Sequence, residues 1–422
     1  MTETTRPPVG TATRSPALVI GLCWLAIVVD GYDLIVYGSV LPALVSGEWA
    51  LSAAAAGRIG SAALVGMLAG ALLAGVVTDR VGRRRLMIGC IAWFSVAMAL
   101  CALAPGPEVF GVLRLVAGIG LGGVVPTAIA LTVEYAPAGR RNAANALMFS
   151  GYSVGGVLAA LGGITMLEAL GWRSLFWAGA AVGLVLLVVV VAALPESPAY
   201  LLAQGRAEEA VALARRYGAP EPVAAGPARR TPLRELLATP RTTLLFWLVT
   251  GIGLLLVYGL NTWLAQIMRQ AGYALGGALA FLLALNLGAI VGTPLLGALA
   301  DRVGARRVVV GMFLTAAAAI LVLTTPLPTP LLLAVIAVAG ACTIGTTILV
   351  NSFTATSYPE HLRAAALGWA LGIGRLGAIA GPLYGGLVVA SGLGFAMNFV
   401  AFAVPAALAA LLVLLLPRPT AG

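Results

Sequence analysis

The chain has 422 residues, of which 61% are hydrophobic and only 9% charged. A water-soluble domain carries about a quarter of its residues as charges, so this composition excludes one and requires a bilayer. The formal charge of +10 comes from arginine alone, because there is no lysine, and it is spread over short loops, which reads as membrane topology and not as a nucleic-acid surface.

The polar start of the chain, positions 1–16, leads into an apolar segment too long for a signal peptide, with no small-residue cleavage site behind a short core, so the first helix is expected to be retained. A crossing helix needs about 20 apolar residues. Twelve segments meet that length, at about 17–45, 52–78, 84–104, 108–135, 142–167, 173–194, 242–268, 275–300, 306–325, 328–356, 363–390 and 394–416. The predicted fold is all-α and integral to the membrane. All but five of the 25 arginines (Arg58, Arg114, Arg173, Arg269 and Arg375) fall at the chain ends or in even-numbered loops, among them Arg229, Arg230, Arg306 and Arg307. The positive-inside rule then predicts both ends in the cytoplasm.

Asp30 and Asp33 lie inside the first segment, in VVDGYDLIVYGSVLP. Such a charge costs roughly 2.5–3.5 kcal/mol at a helix centre, and intramembrane acids mark an ion or substrate path. Three residues apart, the two share one helix face, which allows their titrations to couple. Arg114, two turns into the fourth segment, and Arg375, well inside the eleventh, are the matching cations. A guanidinium fork suits a carboxylate, whether of a substrate or of a neighbouring acid.

The second segment ends in TDRVGRRR at 78–85, which returns as ADRVGARR at 300–307. The shift that carries Asp79 onto Asp301 and Gly82 onto Gly304 also carries Arg141 onto Arg363. The chain therefore divides into an N-terminal tail (1–16), a six-helix bundle (17–194), a polar linker with a short amphipathic helix on the inner face (195–240), a second six-helix bundle (241–416) and a short tail (417–422). Under the same shift Asp30, Asp33 and Arg114 fall on Ile252, Leu255 and Ile336, and Arg375 falls on Ser153. These four charges break the repeat, so the fold does not need them.

Glycine clusters at 118–123 and 372–386 lie inside apolar segments with no preceding strand, so they read as helix-packing surfaces and not as a dinucleotide fingerprint. Gly381 and Pro382 are expected to bend the eleventh helix. Cys23, Cys90, Cys101 and Cys342 sit in apolar segments without metal-ligand spacing and read as packing residues. No metal or cofactor is expected. Without a lysine no Walker A loop exists, so the chain does not itself hydrolyse ATP. The single histidine, His361, permits neither a Ser/His/Asp triad nor a histidine-rich metal site, so an enzyme is not expected.

Two six-helix halves with a G-x-x-x-D-R-x-G-R-R-R loop (Gly75, Asp79, Arg80, Gly82, Arg83, Arg84, Arg85) resemble the major facilitator superfamily over essentially the whole chain. Within it, DGYDLIVYG in the first segment, RLVAGIGLGGVVPTAIALTVEY in the fourth, YGLNTWLAQIMRQAGY in the seventh and GRLGAIAGPLYGG in the eleventh resemble the aromatic acid:proton symporters, the benzoate and hydroxybenzoate carriers above all. One departure is Ala265, where that resemblance leads one to expect proline.

The resemblance implies a multi-pass protein of a bacterial-type inner membrane, monomeric, that takes up a small aromatic carboxylate with protons. It implies state-dependent contacts on the cytoplasmic side by Asp79, Arg80, Arg83 and Asp301, and an inner charge network of Glu134, Arg140, Arg141 and Glu196. A plain topogenic loop would need the arginines but not Asp79. For the central site, Asp33 is expected to carry the proton with Asp30 as its partner, Arg114 to balance that cluster, and Arg375 to hold the substrate carboxylate. Tyr37, Tyr152, Tyr258, Asn261 and Tyr384 are candidates for the ring and its hydroxyls, each equally readable as a packed or interfacial side chain. A proton-coupled drug or metabolite antiporter, and a carrier of aliphatic organic acids, stay open as alternatives.

Overall fold

The computed structural model describes residues 15–137, 139–222 and 233–416. The two polar tails and Arg229 and Arg230 of the linker lie outside the described residues. Fifteen helices follow in chain order: α1 (Pro16–Ser46), α2 (Ala53–Val81), α3 (Arg83–Ala102), α4 (Pro107–Tyr135), α5 (Arg141–Leu170), α6 (Arg173–Ala193), α7 (Pro198–Ala203), α8 (Ala207–Tyr217), α9 (Leu233–Leu236), α10 (Pro240–Gln270), α11 (Leu275–Val303), α12 (Ala305–Val322), α13 (Thr329–Ser357), α14 (Glu360–Ala390) and α15 (Phe395–Leu415). Among the described residues, twelve helices are long and apolar enough to cross a membrane, α1–α6 and α10–α15.

Local chemistry sets the ends. Ser15 and Ser52 cap α1 and α2 through their hydroxyls, and Pro16, Pro107 and Pro240 stand in first turns, where a missing N–H is no loss. At the inner end α2 does not stop where its apolar run stops. It continues through Asp79 and Arg80 to Gly82, whose φ of +88° ends it, and α11 continues in the same way through Asp301 and Arg302 to Gly304 at +98°. Near Ala265 α10 runs unbroken, so the absent proline leaves a continuous helix at that point.

Within each half the helices pack in the same pairs: α2 on α4 and α1 on α5, then α11 on α13 and α10 on α14. Glycine makes the approach close. A Cβ on Gly66 would strike the Leu115 carbonyl and one on Gly118 the Ala63 carbonyl; at the equivalent places of the second half Gly288 and Gly340 abut the carbonyls of Ala337 and Leu285 in the same reciprocal way. The sequence repeat is thus a repeat of backbone contacts.

The halves meet through α2 with α14, α5 with α11 and α1 with α10. Those contacts lie on the side away from α7–α9: Gly38 on the Asn261 carbonyl, Gly57 on Pro382, Gly386 on Ala53, Gly156 on Asn286 and Gly163 on Leu279. Ser61 adds a hydrogen bond to the Ile379 carbonyl at 2.6 Å. On the opposite side none of the close glycine contacts or hydrogen bonds among the described residues joins the halves, and Val76, Leu147, Leu295 and Leu371 are exposed there. Among the described residues no ion pair joins the halves. The protein is closed on one side and open on the side that carries the arginine loops and α7–α9.

Candidate functional site

The centre is built from α1 and α4 of one half and α10 and α14 of the other. Asp33 is fully buried and accepts a hydrogen bond from Arg114 Nη1 on Oδ1 at 2.7 Å, while Arg114 Nη2 donates to the backbone carbonyl of Asp33 at 3.0 Å. The guanidinium lies 5.8 Å from the centre of the Phe176 ring. Two charges inside an apolar bundle are tolerated because they meet each other and a carbonyl. Asp33 Oδ2 and Arg114 Nε have no hydrogen-bond partner.

Asp30, one turn earlier, is as deeply buried but forms no ion pair, and its Oδ1 has no hydrogen-bond partner. The cation whose field it feels most is Arg375, on the other half. Arg375 is half-buried and has no carboxylate within ion-pair distance. Tyr258 of α10 lies within the field of both Arg375 and Asp30. Tyr152 of α5 meets Tyr258 edge to face across the two halves, with ring centres 6.3 Å apart. Asp30, Tyr152, Tyr258 and Arg375 therefore form one group drawn from both halves, near the middle of their helices.

Arg114 thus meets the acid cluster at Asp33, while Asp30, one turn away, keeps an open oxygen among the described residues. Three of the candidates for the ring and its hydroxyls have their polar groups engaged within the protein. Tyr37 packs in the core of the first half and donates to the Ala56 carbonyl at 2.6 Å, and Tyr384 donates to the Ala401 carbonyl at 2.6 Å while meeting Phe402 edge to face. A phenol buried in an apolar bundle takes whichever backbone acceptor is in reach, which occupies both hydroxyls. Asn261 donates to the Val257 carbonyl at 2.8 Å, and its own carbonyl accepts from Asn286 at 3.0 Å. It holds α10 to α11 beside the approach of Gly38.

Asn286 is not among the residues that the sequence singles out. It is fully buried, its Oδ1 is unpartnered, and it abuts Gly156 across the two halves. An uncharged amide in an apolar helix is the same signal as an acid there, at lower contrast.

On the open side, Arg83 pairs with Glu134 at 3.4 Å, and Glu134 also accepts from Ser197 at 2.5 Å. Glu196 accepts from the backbone N–H of Arg84 at 3.0 Å and of Ser197 at 2.9 Å. These bonds tie α3, α4 and the start of the linker together. Asp79, Arg80, Arg140, Arg141 and Asp301 are exposed, and none of them forms a side-chain ion pair among the described residues.

Two similarly packed six-helix halves in a bilayer-spanning bundle, with buried charges at its centre, define a membrane transporter. The chain belongs to the Major Facilitator Superfamily, whose model matches residues 23–292 and 279–422. A gentisate transporter of Corynebacterium glutamicum is 40% identical over 96% of this chain and 88% of its own length, and a benzoate transport protein of Acinetobacter baylyi is 36% identical over 94% and 89%. These relatives place the chain with the aromatic acid transporters of the superfamily, and no enzymatic role is needed. Among solved structures, the xylose transporter XylE from E. coli in an inward open conformation superposes with a TM-score of 0.77 at 17% identity, covering 96% of this chain and 97% of that one, which shows the shared fold.

Proposed function

We propose that this protein imports a small aromatic carboxylate of the benzoate, hydroxybenzoate or gentisate type together with protons, across a cytoplasmic membrane, with both termini and α7–α9 inside and one chain as the working unit. The observation that carries the reading is the unequal partnering of the two acids. Asp33 is paired with Arg114 of its own half, whereas Asp30 has an open oxygen and lies in the field of a cation that belongs to the other half.

Asp30 is therefore the proton carrier in this reading, and Asp33 with Arg114 is the fixed frame that positions it. Arg375 grips the substrate carboxylate, and the Tyr152 and Tyr258 rings bracket the aromatic part. With the cleft open outward, a proton on Asp30 and a carboxylate on Arg375 leave no net uncompensated charge at the centre, so the loaded halves can rock. Opening inward exposes both to the cytoplasm. Asp79, Arg80 and Asp301, unpaired here, close the inner side in the other state, with the Arg83, Glu134 and Glu196 network, Arg140 and Arg141 beside them.

The test is uptake of radiolabelled benzoate, with 4-hydroxybenzoate and gentisate as competitors, into proteoliposomes under an inward proton gradient. In Asp30→Asn, gradient-driven accumulation is expected to vanish while substrate exchange persists. Accumulation that survives in Asp30→Asn removes the proton from this residue. Failure of the wild type to accumulate any aromatic acid overturns the substrate, and the aliphatic-acid carrier or the antiporter then takes its place.

A further inference from the structure

Beneath the inner ends of α2, α3 and α6, roofed by α7 and α8, lies a cavity of about 580 Å³ that the transport reading does not use. Arg84, Arg85, Arg206 and Arg216 line it, against two acids, Glu196 and Glu209. The acids are already engaged. Glu196 accepts from two backbone N–H groups, and Glu209 pairs with Arg206 at 2.6 Å. Arg85 and Arg216 have no carboxylate within ion-pair distance among the described residues, and Arg84 Nε is buried without a hydrogen-bond partner. The cavity thus holds an unanswered positive charge and a buried, vacant donor.

A second recess, of about 540 Å³, opens between α2 and α3 over the glycine-lined floor of α4, and it is apolar: Leu73, Val77, Gly89, Trp93 and Gly120 form it. Leu73 and Trp93 are more than half exposed, as side chains turned to acyl chains are. The two spaces share Val81 and Arg85. A cationic chamber at the membrane edge therefore continues into an apolar groove within membrane depth.

We infer that the chamber and the groove are one binding site for an anionic phospholipid, its headgroup phosphate taken by Arg84, Arg85 and Arg216 and an acyl chain laid along α2 and α3 past Gly89. Free inorganic phosphate would satisfy the chamber but leave the groove without a function, so the continuity through Arg85 favours the lipid. The negative surface of a cytoplasmic leaflet supplies such lipids on the side where the arginines lie. Because α8 roofs the chamber and α3 begins at it, the bound headgroup joins the linker to the first half.

The experiment is native mass spectrometry of the purified full chain in detergent, titrated with phosphatidylglycerol and with phosphatidylcholine of the same acyl chains. One phosphatidylglycerol is expected to be retained, with phosphatidylcholine bound about tenfold more weakly. Arg85→Gln with Arg216→Gln, at exposed positions without ion pairs, is expected to abolish that preference. Gly89→Phe, where an added Cβ meets nothing within 4 Å, is expected to weaken phosphatidylglycerol by filling the groove. Unchanged elution and melting of both variants establishes that they are folded. Equal retention of the two lipids, wild-type binding by either folded variant, or displacement by inorganic phosphate at equal concentration would each overturn the inference; the last makes the chamber a free-phosphate site. None of these readouts involves transport, so the function proposed above stands or falls separately.

Discussion

The two halves of the molecule are built on one plan and charged on two. Arg84 donates through Nη2 to the Val191 carbonyl at 2.6 Å, closing the end of α6; its counterpart in the second half, Arg306, donates to the carbonyls of Val413 and Leu414 at 3.4 and 2.7 Å, closing the end of α15. The reciprocal glycines of α2 and α4 recur in α11 and α13. Against this, the buried pair Asp33 and Arg114 has Leu255 and Ile336 at the equivalent places, and the clamp of Arg83 on Glu134 has Ala305 and Thr356. Contacts that recur belong to the scaffold. Contacts present in one half only belong to what the scaffold does, and the second half shows that the same helix packing closes with apolar residues in place of the buried pair.

The sharpest way to break this comparison is at the buried pair. Arg114→Ala leaves Asp33 charged and alone, and about 3–5 kcal/mol of stability is expected to be lost, read as a lower melting point and poor yield in detergent. The double variant Asp33→Leu with Arg114→Ile copies the second half, and it is expected to regain near wild-type melting while transport stays absent. A double variant as unstable as Arg114→Ala would mean that the pair is scaffold after all. Next, the repeated caps should be equivalent: Arg84→Ala and Arg306→Ala are each expected to cost about 1 kcal/mol, the partial exposure of both arginines keeping the figure low. Melting points that differ by more than a few degrees would show that one cap carries a further role.

The smallest effect lies on the closed side, where Arg173 holds Glu48 through hydrogen bonds at 2.7 and 3.3 Å and stacks on Trp172. Those bonds hold the Glu48 carboxyl below the usual carboxylate range. A group lowered by folding contributes its stability above its unfolded value and loses it as the pH falls through the folded one. Melting followed from neutral pH into that acid range should show a small decline that Glu48→Gln removes.

Much of this is legible in the residues. Apolar run length locates every span, since a bilayer leaves the backbone only a helix. Hydropathy ends α2 and α11 at Thr78 and Ala300, short of their true inner ends, because it drops at the first charge, whereas the hydrogen-bond ladder carries on through Asp79–Arg80 and Asp301–Arg302 until a glycine turns it. The four symmetry-breaking charges are visible in the sequence as costs. What they bond to is not visible there: two acids three residues apart lie only about 60° from each other on one face of α1, so which of them meets Arg114 depends on the fine rotation and height of α1 against α4. The hydroxyls of Tyr37 and Tyr384 escape a sequence reading for the same reason, and Asn286 because an amide hardly disturbs a hydropathy profile.

At two points the closed side rests main chain on main chain. Where Gly38 meets the Asn261 carbonyl, or Gly386 the backbone of Ala53, one partner has no side chain to freeze when the halves come together and none to release when they part. Ordering a long side chain costs up to about 2 kcal/mol, and at these points that cost is absent in either direction. Contacts of that kind part and re-form without ordering a side chain, which suits a seam that has to open and close.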